Sequence, residues 1–356
     1  MSPRRSPFRV RIGLALALLS LGGSAPRARA QALDAHVFAR SYGVMGTDLT
    51  LSAYTNDDGA AGRAFELALT ELRRIEALMT DWPHEGQPPS DVLRINEAAG
   101  REAVKVSDET FDVIAFSLDV SRRSQGTFDV TYAAMRGLWK FDEDMEKKLP
   151  PAAEIAKRRK LISWRDVILD RAAKTVKLRR PGMRLGLGGI AKGYAVDRAS
   201  TILRAQGLQN FMVQAGGDLY VAGQKGDASW MVGVRDPRGG PRDVIAKMPI
   251  KDHAFSTAGD YERSFILDGK RYHHIIDPRT GYPATASREV TVFAPNAFLA
   301  DGLDDAIFIL GPQKGLALCK QFTDVDALIV DAHNKVWMSP GLQGRLIRTA
   351  EPHDGI

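Results

Sequence analysis

Leu187-Gly188-Gly189-Ile190-Ala191-Lys192-Gly193-Tyr194-Ala195-Val196-Asp197-Arg198 couples a glycine pair to the start of a helix that the pattern carries over 193–206. A β-rich run at 211–215, the turn Gln214-Ala215-Gly216-Gly217-Asp218 and a second run at 219–222 follow at once. Further runs at 230–234, 263–267, 272–276, 290–294 and 327–331 are separated by Gly, Asp and Pro turns, and another helix fits at 300–321. The pattern is mixed α+β, with no internal repeat and no low-complexity tract.

Upstream, Val44 to Tyr54 reads as a strand, and Asn56-Asp57-Asp58-Gly59 turns it into a helix. Phe65, Ala68, Leu69, Leu72, Ile75 and Met79 recur at three and four, which gives that helix one apolar face. Asp81 to Asn96 is Pro-rich and reads as irregular, after which Ser107 caps a helix whose face is Phe111, Ile114, Ala115 and Leu118. The charged segment Asp142 to Lys160, which contains Pro150-Pro151, reads as a surface insertion or lobe boundary.

At 356 residues and 44% hydrophobic content the chain can build a substantial core. Its formal charge of +6 invites a search for nucleic-acid or anionic-membrane partners. The N-terminus removes that motive. Arg4, Arg5, Arg9 and Arg11 precede an apolar run from Ile12 to Leu21, and Ala28-Arg29-Ala30 places small residues before Gln31. Residues 1–30 therefore read as a signal peptide, with Arg4-Arg5 and Phe8 hinting at twin-arginine export, and 31–356 as a single exported, periplasmic domain. The first thirty residues hold six of the 49 basic residues and no acid, so the remainder is formally neutral. The apolar run is also shorter than the roughly 20 residues a membrane span requires. The single cysteine, Cys319, has no partner for a disulfide and reads as buried packing.

Three segments carry chemistry. In Arg271-Tyr272-His273-His274-Ile275-Ile276-Asp277-Pro278-Arg279-Thr280-Gly281, alternation sets His274 and Ile276 on one face and His273 and Ile275 on the other. A histidine beside an orienting carboxylate suits a general base, and a structural histidine bonded to backbone is an equal reading. The Gly188-Gly189 turn, the helix start and Lys192 form an anion site suited to phosphate, although GxxxxGK[ST] and GxGxxG are both absent and a purely structural glycine turn stays open. Ala300-Asp301-Gly302-Leu303-Asp304-Asp305-Ala306 puts carboxylates at i and i+4 on one helix face, hard oxygen donors that suit magnesium or merely complement a helix N-terminus. Base, phosphate and metal signals in one chain point to phosphoryl or nucleotidyl transfer.

Read in order, these segments resemble the ApbE family of FAD:protein FMN transferases. The likeness runs from about Tyr42 to Gly311 through Met45-Gly46-Thr47, SDVLRIN at 90–96, Gly126-Thr127-Phe128-Asp129-Val130 with Leu138-Trp139, and GGIAKGYAVDRA at 188–199. It continues through AGGD at 215–218, Ser256-Thr257-Ala258-Gly259-Asp260-Tyr261-Glu262, and the HHIIDPRTG and ADGLDDA segments. The resemblance implies an α+β fold with T-fold-like mixed sheets and packed helices, a nucleotide site between lobes, FAD as substrate, and Mg2+. It also implies an acceptor flavoprotein that offers a Thr or Ser outside the cytoplasm.

The same resemblance assigns roles. Met45 and Trp82 flank flavin or adenine rings, Thr127, Phe128 and Asp129 contact FAD, Lys192 contacts the nucleotide, and Ile275 belongs to the cofactor-binding set. Magnesium is held by the Gly189 carbonyl, Asp301 and Asp305. Two positions depart from the family pattern: Trp82 stands where many relatives have Tyr, and Asp305 where Thr is common. His274 is then the base for the acceptor hydroxyl, with Asp277 orienting it, and AMP leaves as the hydroxyl attacks the FMN-side phosphorus. An FAD pyrophosphatase shares every one of these motifs, and a flavin carrier without turnover is a third reading, disfavoured by the apparent metal carboxylates.

Overall fold

A computed structural model describes residues 34–141 and 147–356. The expected leader at 1–30 and the first part of the charged segment, 142–146, lie outside the described residues. Six α-helices are present among them: α1 (Asp58–Met79), α2 (Asp91–Glu97), α3 (Asp108–Arg123), α4 (Ala152–Arg159), α5 (Ala191–Ala205) and α6 (Ala297–Cys319). None is long and apolar enough to cross a membrane.

The main sheet has eight strands, His36–Val44, Thr47–Thr55, Phe211–Ala215, Asp218–Ala222, His253–Gly259, Ser287–Ala294, Asp326–Asp331 and Val336–Met338. Their order across the sheet is their order along the chain, and every neighbouring pair is antiparallel. Apart from the C-terminal segment after Met338, all other elements are excursions from this meander. Helices α1 to α5 leave between its second and third strands, and α6 leaves between its sixth and seventh. Helices α1, α5 and α6 pack side by side on one face.

The central strands are buried on both faces, and their alternation feeds two cores. Ala222, Val290, Val292, Ala327 and Ile329 join the core beneath the helices. The residues between them, Val221, Phe293, Leu328 and Val330, pack against a three-stranded sheet formed by Trp230–Arg235, Val244–Ile250 and Ile347–Arg348. The α1 face expected from periodicity is buried in full.

Four expectations change. The strand expected at 44–54 is the second arm of a hairpin, because Met45 and Gly46 form a two-residue turn with φ of +53° and +71°. Positive φ at both central positions matches the twist of paired strands, but Met is a rare residue there and hides the signal. The irregular stretch at 81–96 ends in α2, capped by the Ser90 hydroxyl accepting from the Leu93 amide. On α3 the buried side turns toward Val113, Ser117, Val120 and Ser121, with Ala115 and Leu118 only partly covered. The two serines tolerate burial because their hydroxyls donate to the Val113 and Ser117 carbonyls. Helix α6 breaks at Gly311, φ +72°, just before Pro312. Cys319 is buried in the main core, as the sequence suggested.

One core residue stands against the apolar pattern. Glu289 is fully buried, its Oε1 accepts from the Thr291 hydroxyl, and its Oε2 has no partner among the described residues. Burial pushes its pKa up from 4.5 to about 8. In the window between those values the folded protein holds a proton that the unfolded chain has released, so stability falls as pH rises, by at most about 1.4 kcal/mol per pH unit. Glu289→Gln should abolish that slope. Melting temperatures of the variant and parent should agree near pH 4.5 and diverge up to pH 8, with the variant the more stable; parallel curves would show that the Glu289 carboxyl is ionised in the native state.

Candidate active site

The site is assembled where α5 crosses α6. The Gly193 amide donates to Asp301 Oδ2 at 2.7 Å. A Cβ at Gly193 would stand 2.3 Å from the Ala297 carbonyl oxygen and 2.7 Å from Asp301 Cβ, so only glycine permits this crossing. One turn further along α5, Asp197 accepts from the Ala297 and Phe298 amides at 2.9 Å each, which caps α6 beside its own Asn296 cap. The α6 carboxylates are thereby aimed at the start of α5.

Asp218, Asp301 and Asp304 present oxygens that all lie within 4.8 Å of one another. Lys192 pairs with Asp218 and lies 3.6 Å from Asp301. The Ser256 hydroxyl lies within hydrogen-bond distance of both Asp304 Oδ2, at 2.6 Å, and Asp218 Oδ1. It has one proton for two carboxylates, so this arrangement demands either another proton or a cation. Asp305 adds a fourth acid, its Oδ2 3.1 Å from where a Gly189 Cβ would stand.

Burial, followed by the neighbouring carboxylates, raises Asp301 to about 7 and pushes Asp304 well up. Burial likewise lifts Asp305 to about 6, against the opposing charge of Lys192. Burial alone would depress the Lys192 ammonium, but Asp218 and Asp301 outweigh it and its pKa is raised. One ammonium facing three buried acids and the half-buried Asp305 leaves an excess of negative charge in an all-oxygen setting, which fits a hard divalent cation. Of the expected ligands, Asp301 stands at the centre of the cluster, while Gly189 and Asp305 meet at its edge. Asp218 and Asp304 went unassigned in the sequence reading. Both were visible, in AGGD and in the second acid of ADGLDDA, but nothing in the sequence aligned a strand residue with an α6 turn.

A stacking surface lies on the neighbouring wall. Trp82 is 62% exposed, and the Arg136 guanidinium sits 3.9 Å from its ring centroid and pairs with Asp81. One ring face is thus occupied and the other is free. The Met45-Gly46 turn lines an open hollow with Thr47, Asp48 and Glu76. Phe128 is buried, with a ring carbon 3.8 Å from where a Gly189 Cβ would stand.

Thr127 and Asp129 are engaged in local architecture. The Thr127 hydroxyl donates to the Ser124 carbonyl, and Asp129 accepts from the Thr131 amide and hydroxyl and from the Trp164 amide. Ile275 places its side chain in the main core. These three shape the wall rather than offering side-chain groups to a ligand.

The two adjacent histidines separate as alternation suggested. The ordered strand ends at His273, whose Nε2 bonds the Ala284 carbonyl at 2.8 Å while Nδ1 accepts from the Ile275 amide, a neutral structural imidazole. His274 is exposed, and its ring has no hydrogen-bond partner among the described residues. Asp277 does not orient it. That carboxylate is held by Arg279 in a bidentate pair, with Nη2 at 2.7 Å and Nε at 2.9 Å, because the Asp277 to Gly281 turn folds Arg279 back onto it. Surrounding protein, His273, Arg263 and Lys192 pull the His274 pKa down. Since the ring keeps open surface at a cleft, water moderates the burial part, and the direction is what stands: a neutral imidazole at neutral pH.

The ApbE family model matches residues 45–329. The chain belongs to the ApbE family. A Klebsiella pneumoniae protein named FAD:protein FMN transferase is 34% identical over 307 residues, which cover 86% of this chain and 93% of that one. A Treponema pallidum protein of the same name is 32% identical over 353 residues, 94% of this chain and 95% of that one. Among solved structures, the ApbE protein of Thermotoga maritima aligns with a TM-score of 0.78 at 32% identity, covering 87% of this chain and 99% of that one. The flavin transferase ApbE of Vibrio cholerae aligns at 0.76 and 26% identity over 87% of this chain and 99% of that one. The mixed α+β architecture is therefore that of solved ApbE structures.

The crossing of α5 and α6 depends on one absent side chain. Gly193→Ala should force α5 and α6 apart, destabilise the protein by about 1–3 kcal/mol and displace Asp301. Denaturant unfolding would measure the loss; a variant as stable as the parent would mean that the helices do not cross this closely.

Proposed function

We propose that the protein transfers the FMN half of FAD to a Thr or Ser hydroxyl of an acceptor flavoprotein, with magnesium in the site and AMP as the leaving product. The observation that carries the reading is the buried Asp218, Asp301 and Asp304 cluster, set against Lys192 and the Gly188-Gly189 turn at the start of α5. Support comes also from relatives named for this activity over nearly their whole length. The Arg-rich, apolar N-terminus supports an exported enzyme acting on an acceptor outside the cytoplasm.

Asp218, Asp301 and Asp304 would hold the magnesium, with Gly189 and Asp305 at its margin. The ion supplies a positive charge that screens the pyrophosphate and stabilises charge developing in transfer. Lys192 and the amides of the Gly188-Gly189 turn ahead of α5 bind and orient the phosphates. Trp82, backed by Arg136, offers its free ring face to an aromatic ring of the dinucleotide. His274, neutral and open to solvent, takes the proton of the acceptor hydroxyl as that oxygen bonds to the FMN-side phosphorus and the bond to AMP breaks.

The metal assignment predicts that Asp301→Asn, whose amide oxygen can still accept from the Gly193 amide, abolishes turnover with the fold retained, and that chelation does the same to the parent. Mass spectrometry of an acceptor protein after incubation with FAD would score transfer, and chromatography would score AMP. Full transfer in chelator would remove magnesium from the mechanism, and AMP with free FMN and an unmodified acceptor would make the enzyme a pyrophosphatase.

His274→Ala should keep FAD binding and lose transfer by roughly 10²–10⁴-fold. Because the base must be neutral and its pKa is lowered from 6.5, the parent rate should rise with pH on a limb lying below pH 6.5. The variant should lack that limb. A parental rate in His274→Ala would make this histidine structural.

A further inference from the structure

One polar side chain beside the Gly188-Gly189 turn has no part in the reaction. Tyr132 lies in the short turn of 3-10 helix Val130–Met135, whose first residue follows the Asp129 cap. Its neighbours Thr131 and Ala133 are buried, whereas Tyr132 is half-buried. Its hydroxyl reaches the glycine pair, where a Cβ on Gly188 would stand 3.3 Å from it. That hydroxyl has no hydrogen-bond partner among the described residues and is not sealed from solvent.

The surroundings define what it can bind. Asp81 and Arg136, the pair at the back of Trp82, act electrostatically on the phenol from the stacking wall, and Asp305 and Lys192 act on it from the carboxylate cluster. Burial first, then the charges of Asp81 and Asp305, raise its pKa, so it stays a neutral O–H donor throughout the working pH range. An unspent donor beside the amides of the Gly188-Gly189 turn, which have no backbone partner among the described residues, and near an ammonium completes a site for an anion with several oxygens. Its position between Trp82 and the carboxylates is the span a dinucleotide must cross between a stacked ring and its metal-bound phosphates.

We propose that Tyr132 is a further substrate-binding residue, whose hydroxyl donates to a phosphate oxygen of the bound dinucleotide and fixes the pyrophosphate over Gly188. The inference rests on the transferase reading above. Gly188 has no side chain to fill the gap beneath the phenol, which leaves the oxygen open toward the ligand.

Tyr132→Phe removes the oxygen and keeps the ring, so the packing around Ala133 and Gly186 is preserved. Equilibrium titrations with magnesium present, followed by flavin fluorescence, should compare FAD with riboflavin, which carries the ring system and ribityl chain without phosphate. The variant should bind FAD about tenfold or more weakly, the usual cost of losing a hydrogen bond to a charged acceptor. Its riboflavin affinity and melting temperature should match the parent. Unchanged FAD affinity, or equal weakening of FAD and riboflavin, would overturn the assignment, the second result marking Tyr132 as wall packing. A parent protein that binds neither flavin would instead overturn the transferase reading and this inference with it.

Discussion

The contact between the Gly193 amide and Asp301 holds the site together. It is a hydrogen bond from the first turn of one helix to a carboxylate on the next, and it forms only because no Cβ separates the two backbones. A charged acceptor at a helix N-terminus is favourable in itself. Here it also fixes the rotation of α6, so that Asp304 turns toward Ser256 and Asp305 toward Gly189. Asp197 sets the same crossing from the opposite direction by capping α6 from α5. Two helices distant in sequence thus share their termini.

The sheet supplies the rigidity that such a cluster of like charges requires. Asp218 and Ser256 stand on neighbouring antiparallel strands near its middle, where both faces are covered by packed side chains. Carboxylates held this close repel one another, and a mobile scaffold would let them separate and hydrate. A strand buried on both sides cannot yield without opening two cores at once. The raised pKa values of Asp301, Asp304 and Asp305 are the electrostatic counterpart of that mechanical constraint.

A division of labour between neighbouring residues recurs around the cleft. His273 is spent on backbone bonding while His274 is free; Thr131 and Ala133 are buried while Tyr132 reaches Gly188. In each case an inward residue anchors the segment and the next one keeps its polar group unpaired among the described residues. Asp277 and Asp129 belong with the anchors, since each carboxylate is engaged by groups of its own turn and, for Asp129, of the segment after α4. Anchoring carboxylates and catalytic ones look alike in sequence, and only their hydrogen-bond partners tell them apart.

The sequence by itself determined the class of fold, the helical faces that recur at three and four, most of the central strands and the acidic and glycine-rich segments that meet at the candidate site. These are local properties, written in periodicity, turn residues and the spacing of like groups along one helix, such as Asp301 and Asp305. The hairpin turn at Met45-Gly46 escaped because a methionine with positive φ carries no turn signature. The start of α2 was legible in Ser90 but lay behind a run of prolines. Tertiary structure alone decided that Asp218 and Asp304, rather than Asp305, complete the tightest carboxylate group, and that Arg279 takes Asp277 away from His274. Each of those outcomes depends on which strand meets which helix turn, and on the absence of a Cβ at Gly193. Such distances are set by packing across the sheet, and no spacing along the chain encodes them.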